Sequence, residues 1–558
     1  MKTFNKYIAS ALIASAALNY TACTDLDETL YDTISEEQYE FTDKDVQSMF
    51  GPVYSSLCTA YWGWFGYNDI NEMSADQWCV PYRIGIGWGD LYIPMHKHQY
   101  HSELGFFSSN WSYIYSGVNA CNKMMANEMV QESEESMSQL RAYRALYYYM
   151  LFDLFRNIPL DTTYEHEPGW LPEQATPQET YDFIVSELND IKGKCGNDVQ
   201  LSKINNYTVN MLLAKMYINH NAWFNDHSDN SYYGKAIDEL NEIIESGRFS
   251  LAPKYLDNFR EKIGNSPEVI FGIPCEEKYQ GGNYMANLWM HEAGRATWEF
   301  SGWATGGGAA LPQFLDTYDV DDQRYTDCWI SGQQYTKSGA PIYVENDPLV
   351  YTRELHSIDL PGCYPFESER MVKYEICSGD KGTSTDDQVV FRYAEVLLMK
   401  AECLLRLGGY KGESEQLAAD LVTEVRRRNF PQSPGKAVRT VAQLKGGSCY
   451  KYGHRENQGV MGEEDKLIIT EEGGDDIILG GLLDEYAWEF VGECVRRQTL
   501  IRFQMTNGQN VWNGKSWFCK DRTENIYDNH YNIFPIPKDA MDGNPKLKQN
   551  PGYAGAAE

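Results

Sequence analysis

Pairs of amphipathic helices joined by short turns constrain the fold of this chain more than any other feature of its sequence. Residues 207–224 and 232–247 are predicted to form one pair, and residues 391–409 and 413–429 a second pair. Apolar residues recur at helical spacing in each segment, and alanines stand where a neighbouring helix would approach. Helix pairs of this kind stack on one another and share a continuous core. The pattern therefore predicts a mostly α-helical scaffold.

Units of this length, with alanines at the packing positions, look like tetratricopeptide repeats. Further helices are predicted over residues 43–61, 111–129, 136–160 and 481–503. We expect the third of these to end at Pro159, because proline interrupts the hydrogen bonding of a helix. The last is predicted to be one continuous helix with apolar residues along one side.

The segments between the helices are far longer than connections normally need. Residues 61–110, 272–310, 320–390 and 430–480 are rich in glycine, asparagine, tyrosine and tryptophan. Because disordered segments are poor in aromatic residues, we expect these loops to be ordered. The predicted fold class is mostly α, with tetratricopeptide-like helix pairs that carry a large, loop-rich, aromatic ligand-binding flank.

The N-terminus resembles a bacterial lipoprotein signal. Lys2 and Lys6 precede an apolar stretch over residues 7–18, and small residues then lead to Cys23. We therefore expect residues 1–22 to be a signal peptide and Cys23 to carry lipid; an ordinary secretory signal cut nearby is the alternative. No later segment reaches the length of a membrane span, so membrane contact is expected through the lipid anchor alone.

Charge and motifs exclude several classes of function. The formal net charge is −32, from 48 basic and 80 acidic residues, which argues against nucleic acid as a partner. No G-x-S-x-G nucleophile motif occurs, and residues 508–516 miss the spacing of a phosphate loop. The cysteines lack zinc-ligand spacing and are predicted to be mostly buried small apolar residues. We therefore predict no catalytic residue, no metal ligand and no cofactor.

Five segments together resemble the SusD/RagB family of outer-membrane glycan-binding lipoproteins of Bacteroidetes. They match the family in order and separation, and they are residues 141–160, 246–251, 392–409, 482–503 and 534–553. The sequence departs from the family pattern at Tyr486, Cys494 and Thr499, where arginine, glycine and aspartate are expected.

The resemblance implies a SusD-like fold with four tetratricopeptide-like units. It further implies an N-terminal part over residues 23–250 that packs as one body with a C-terminal part over residues 251–558. Family members face the cell exterior and capture oligosaccharides for import through a partner SusC-type TonB-dependent transporter, and they catalyse no reaction. Two other functions stay open: a surface or periplasmic glycoside hydrolase, because carboxylate pairs cannot be recognised from sequence, and a sugar-free assembly partner of the transporter.

The loop at residues 73–90 carries the first candidate ligand-binding residues, Asp76, Trp78, Arg83 and Trp88. An aromatic face covers the apolar side of a sugar ring, and charged neighbours bond its hydroxyl groups. The resemblance implies a glycan-site aspartate and arginine in this loop, and Asp76 and Arg83 match them in place. Alternatively, Trp78 anchors the loop to the core, and Asp76 pairs with Arg83.

A second loop region supplies the other candidate aromatic residues. We expect one or two of its four tryptophans to bind ligand, Trp303 first because glycines lie close to it on both sides, and Tyr284 is held in reserve. The four tryptophans are Trp289, Trp298, Trp303 and Trp329.

Overall fold

The computed structural model describes residues 48–85, 89–275, 283–360, 362–456, 468–521 and 529–556. The predicted signal peptide, Cys23 and Trp88 lie outside the described residues. Residues Met49–Glu558 form one compact unit. Among the described residues, no helix has both the length and the apolar character needed to cross a membrane.

Long helices form the scaffold, and short helices lie within the loops. The helices are α1 (Gly51–Trp62), α2 (Tyr67–Met73), α3 (Gly89–His96), α4 (Gly105–Met125), α5 (Glu128–Gln131), α6 (Glu134–Phe155), α7 (Pro177–Ile191), α8 (Asn206–Phe224), α9 (Ser231–Glu245), α10 (Met285–Trp289), α11 (Arg295–Trp298), α12 (Pro312–Leu315), α13 (Gln323–Thr326), α14 (Tyr393–Leu407), α15 (Glu415–Arg427), α16 (Pro434–Ala437), α17 (Val441–Lys445), α18 (Gly480–Glu489), α19 (Arg496–Arg502), α20 (Val511–Gly514) and α21 (Lys538–Gly543). The long helices α1, α4, α6, α7, α8, α9, α14 and α15 pack successively, each on the next.

The side chain of Tyr147 connects the first three of these helices, α1, α4 and α6. The ring of Tyr147, in α6, lies over Gly117 in α4, where an added Cβ would come within 2.2 Å of the ring. The Tyr147 hydroxyl donates a hydrogen bond of 2.8 Å to the carbonyl oxygen of Val53 in α1. Glycine at position 117 is therefore required for this packing.

The ends of α6 show how local chemistry sets helix boundaries. The Ser133 hydroxyl accepts a hydrogen bond from the backbone N–H of Ser136 and caps the first turn. The helix stops at Phe155, before the predicted end at Pro159, because Arg156 has a positive φ of 61°, which is incompatible with a right-handed helix. Its guanidinium group packs over the ring of Phe152, at 4.3 Å from the ring centroid.

The predicted helix over residues 481–503 is wrong as a single element, because the structure divides it into α18 and α19. Gly492 and Cys494 have φ values of 76° and 62°. Their backbone N–H groups donate to the carboxylate of Glu72, at 3.2 and 2.7 Å. The helical hydrogen bonds are thus replaced by bonds to a side chain from a remote part of the sequence. Cys494 takes a left-handed conformation that favours glycine, the residue expected there from the family pattern.

The strands are short and join the loops in small sheets. They are β1 (Trp78–Cys79), β2 (Val269–Ile273), β3 (Ala309–Ala310), β4 (Trp329–Ile330), β5 (Gly332–Gln333), β6 (Tyr343–Val344), β7 (Asp347–Pro348), β8 (Val350–Tyr351), β9 (Arg370–Met371), β10 (Gln388–Arg392), β11 (Gly453–Glu456), β12 (Ile468–Ile469) and β13 (Trp517–Phe518). The antiparallel pairing of β1 with β3 sets Trp78 opposite Ala310 and joins the two loop regions that hold the candidate site residues.

Buried ion pairs link the loops to the scaffold. The carboxylate of Glu489, in α18, accepts hydrogen bonds from Arg324 at 3.1 Å and from Arg392 at 2.8 Å. Arg392 also donates to Glu268 at 2.8 Å. Burial opposes the charge of Glu489, but the surrounding guanidinium groups outweigh it and hold its pKa far below the usual range.

Cysteine burial agrees with the sequence prediction. In the described part of the chain, every cysteine other than Cys377 and Cys449 is buried. These side chains serve as small apolar residues in the core.

Candidate ligand-binding surface

Asp76 lies in the protein interior, which corrects its predicted role in ligand binding. Its side chain has no exposed surface. Its two carboxylate oxygens accept hydrogen bonds from Arg496, each at 2.7 Å, and one of them also accepts from the Tyr452 hydroxyl at 2.9 Å. A carboxylate occupied in this way bonds its own protein and has no surface to offer a sugar hydroxyl.

Arg83 is also buried, and the structure corrects its predicted role as well. Its guanidinium group donates to backbone carbonyl oxygens of Gly307 at 3.2 Å, Gly308 at 3.1 Å and Glu367 at 3.0 Å. It therefore ties together three loop segments that would otherwise leave buried carbonyl groups without partners. The alternative pairing of Asp76 with Arg83 is wrong too, because each side chain is committed to other partners.

Three of the candidate tryptophans form a buried cluster, so their predicted ligand contacts are also corrected. The ring centroids of Trp78 and Trp289 are 4.8 Å apart, and those of Trp289 and Trp329 are 5.7 Å apart. All three side chains are at most 5% exposed. The Trp78 indole N–H donates to Glu72 at 3.0 Å. The alternative interpretation of Trp78, an anchor beneath the loop, describes its position.

Tyr284 and Trp298 both pack against other parts of the protein. Tyr284 is buried, and its ring centroid lies 5.8 Å from that of Trp64. The Tyr284 prediction is corrected, because a buried phenol cannot stack on a ligand. Trp298 is half-buried and packs against a small apolar cluster that includes Met290 and Phe300.

Among the candidates in the described part of the chain, Trp303 is the most exposed, with 40% of its surface in solvent. Its ring centroid lies 6.4 Å from that of Trp64, at an interplanar angle of 54°. Trp64 is half-buried. We call these two indoles the Trp64–Trp303 surface. Trp64 was missed in the sequence analysis, although residues 61–67, with five aromatic residues and two glycines, carried the signal.

The backbone on both sides of Trp303 is fixed by hydrogen bonds. The Asn287 amide donates to the carbonyl oxygen of Trp303 at 2.6 Å, and Arg295 donates to that of Gly302 at 3.1 Å. At Gly302, an added Cβ would lie 2.1 Å from the carbonyl oxygen of Gly382. Glycine at 302 thus allows two loops to touch, and this contact sets where the indole of Trp303 stands.

Trp64 is positioned by the turn that follows α1. Phe65, next in sequence, has a left-handed backbone with φ of 59°, and its N–H donates to the carboxyl group of Asp69 at 3.0 Å. Complete burial raises the pKa of Asp69 to about 7, against a smaller opposing effect of the hydrogen bond from the Phe65 backbone. A buried titratable group therefore holds the turn that carries one of the two indoles.

The arrangement of the two indoles suits stacking on a ligand. Two adjacent indoles, one exposed and one half-buried, place apolar, polarisable rings on a hydrogen-bonded backbone, which suits a ring-shaped ligand. In the part of the chain that the structure describes, no three His, Cys, Asp or Glu side chains are grouped so that they could hold a metal ion.

Comparison with known families covers most of the chain. A model described as the SusD family matches residues 221–553, and a model described as starch-binding, associating with the outer membrane, matches residues 83–218.

Two curated relatives are similar to this chain along most of its length. The starch-binding protein SusD of Bacteroides thetaiotaomicron is 23% identical over 537 residues, covering 88% of this chain and 83% of the relative. The SusD-like protein P2 of Formosa agariphila is 24% identical over 481 residues, covering 82% of this chain and 85% of the relative.

Solved structures share the fold. Surface glycan-binding protein A from Bacteroides thetaiotaomicron, solved in complex with laminarihexaose, superposes with a TM-score of 0.64 at 19% identity, over 91% of this chain and 100% of that one. NanU of B. fragilis gives a TM-score of 0.65 at 17% identity, over 94% and 99% of the two chains. The predicted fold class is confirmed.

Proposed function

The chain belongs to the SusD family, as its sequence predicted, and on that premise we propose that it binds oligosaccharide on the Trp64–Trp303 surface. The observation that carries this proposal is an indole, 40% exposed, on a hydrogen-bonded backbone beside a second, half-buried indole. A large aromatic ring normally buries its apolar face, so one held in solvent by fixed loops suits a ligand that covers it.

The chemistry of the surface selects the class of ligand. Sugar rings have apolar C–H faces edged with hydroxyl groups, so an indole face removes apolar area from water while the rim stays solvated. The formal net charge of −32 repels polyanions. We therefore propose a neutral glycan as the ligand.

Related proteins support the same class. One relative is named a starch-binding protein, and two solved neighbours are described as laminarihexaose-bound and as laminarin-binding. Because those names mention different glycans and the identities stay below 25%, the likeness supports glycan binding and selects no particular glycan.

Location and partner belong to the same proposal. We propose that lipid on Cys23 anchors the chain to the outer membrane, facing the cell exterior, and that it delivers glycan to a SusC-type TonB-dependent transporter. The family model that associates part of the chain with the outer membrane supports the location. Metabolic labelling with an alkyne palmitate analogue, lost in Cys23→Ala, and co-purification of the transporter with the tagged chain test these two steps.

We propose a binding role without catalysis. Affinity electrophoresis of residues 24–558 through gels that each contain one polysaccharide tests it, with Trp303→Ala as the site variant. Tyr343→Ala is the matched control, because Tyr343 is an exposed aromatic residue of the β6–β7 hairpin.

The outcomes of this experiment distinguish glycan binding from glycan hydrolysis and from a role in assembly alone. Retardation by one glycan, lost in Trp303→Ala and kept in Tyr343→Ala, is expected. Release of reducing ends from the retained glycan would indicate a glycoside hydrolase instead. Free migration through every gel would favour a sugar-free assembly partner.

A further inference from the structure

A second aromatic cavity lies on the helical scaffold and is lined by other residues than Trp64 and Trp303. It measures about 470 Å³ and opens between α4, the loop from α6 to α7, and α21 with the segment that follows it. We call it the Trp170 cavity, because Trp170 is its most exposed tryptophan. Its aromatic lining also includes Trp111, Tyr115 and Tyr164.

The loop that carries Trp170 is fixed at both ends. Pro159 pairs with Gln174 in a β-bridge, so the loop leaves and returns at one point. The Gln174 side chain accepts from the backbone N–H of Lys548 at 2.7 Å, and the Asn544 amide donates to the carbonyl oxygen of Pro172 at 2.8 Å. Compact surface loops with joined ends are frequently functional.

Trp170 itself is held in one orientation by a chain of contacts, although 43% of its surface is exposed. The imidazole of His166 stacks on its ring, with centroids 3.5 Å apart and planes 1° from parallel. The His166 Nε2 lies 2.8 Å from the carboxylate of Asp161. The backbone N–H of Asp161 donates to the Tyr148 hydroxyl of α6 at 2.7 Å, which connects the chain to the scaffold.

His166 thus covers one face of the Trp170 indole, and the exposed part of the ring lines the cavity. Trp111 and Tyr115 pack together with centroids 5.0 Å apart, and the Tyr115 hydroxyl is fixed on the carbonyl oxygen of Pro159 at 2.8 Å. Asn119 is exposed at the rim of the cavity and adds an amide group. A small number of polar groups around aromatic walls, in a volume of this size, is typical of small-molecule sites.

We propose that the Trp170 cavity binds one neutral sugar ring, packed against the exposed part of the Trp170 indole and hydrogen-bonded at its rim. The class of ligand rests on the proposed function, whereas the site is separate from the Trp64–Trp303 surface. A sugar fits better than an anion, because the carboxylate of Asp161 also lines the cavity. Pre-orientation of Trp170 reduces the entropy lost when a ligand orders the side chain.

Fluorine NMR of the chain labelled with 5-fluorotryptophan tests the two sites separately. Trp170→Phe and Trp303→Phe assign the two resonances. The probes are the methyl glycosides of α-glucose, β-glucose, β-galactose and α-mannose, each titrated alone to several hundred millimolar. We expect a saturable shift of the Trp170 resonance with at least one of them.

His166→Ala is the positioning variant, since it keeps the indole and removes the ring that orients it. It is expected to weaken the affinity reported by Trp170 by about two- to tenfold. The Trp303 titration in the same sample should not change.

The outcomes separate this proposal from the proposed function. A Trp170 resonance that no glycoside moves, that drifts without saturation, or that only a protein partner moves would overturn it, whatever Trp303 does. A shift of Trp170 while no glycan affects Trp303 would support the second site and contradict the first.

Discussion

Asp76 and Arg496 form a buried bidentate ion pair between positions 420 residues apart in the sequence. Both oxygens of the carboxylate lie 2.7 Å from guanidinium nitrogens, and neither side chain is more than 2% exposed. The pair fastens the early loop, which looked like a ligand-binding loop in the sequence, to the start of α19. We therefore expect this ion pair to stabilise the folded state and not to contact the ligand.

Asp76→Asn is predicted to lower the free energy of unfolding by about 3–5 kcal/mol, because it leaves the buried Arg496 charge without its partner. Urea denaturation measures the change, and Asp347→Asn, at an exposed aspartate, is the control. The remaining folded protein should bind glycan with unchanged affinity. Normal stability with lost affinity would contradict this prediction and would indicate that Asp76 acts in ligand binding.

Gly302→Ala is predicted to weaken glycan binding by about tenfold or more, since the new Cβ would clash with the Gly382 carbonyl oxygen and displace Trp303. Gly435→Ala is the matched control, because no atom lies within 4 Å of a Cβ there. Titration calorimetry with the retained glycan compares the two. Equal affinity in both variants would show that the Gly302 contact does not position the site.

Asp69→Asn is predicted to change how stability depends on pH. The native carboxyl group has its pKa raised to about 7 from an ordinary 3.8, so the folded state holds a proton that the unfolded state has lost between these values. The contribution of Asp69 to the wild-type free energy of unfolding therefore falls as pH rises from about 4 to 7, by at most about 1.4 kcal/mol per pH unit. Above pH 7 this contribution is constant.

The asparagine variant lacks this titration, so its stability relative to wild type should rise over the same range. Denaturant unfolding of both proteins at a series of pH values measures the difference, which removes contributions from other buried acids. Parallel curves for the two proteins would show that Asp69 titrates normally.

The sequence predicted the helical scaffold well because helix pairs are local. The helix predicted over residues 207–224 is observed as α8, Asn206–Phe224, where Asn205 caps the first turn by accepting from the N–H of Thr208. Apolar spacing and caps depend on residues within a few turns, so they can be read without the fold.

The site was harder to predict because its chemistry depends on distant partners. Nothing near Asp76 in the sequence indicates that Arg496 neutralises it, and nothing near residue 492 indicates that Glu72 breaks the helix there. Trp303 and Trp289 belong to the same loop region of the sequence, yet one is exposed and the other buried. Which tryptophan faces solvent is decided by the packing of loops that are far apart in sequence.

Calorimetric titration of Trp303→Ala with the glycan that retards the wild-type chain tests the central claim most directly. We predict a loss of affinity of at least about tenfold, equivalent to about 1.4 kcal/mol, with Trp303→Phe in between and unfolding free energies unchanged. Wild-type affinity in Trp303→Ala would contradict the claim that the Trp64–Trp303 surface binds the ligand.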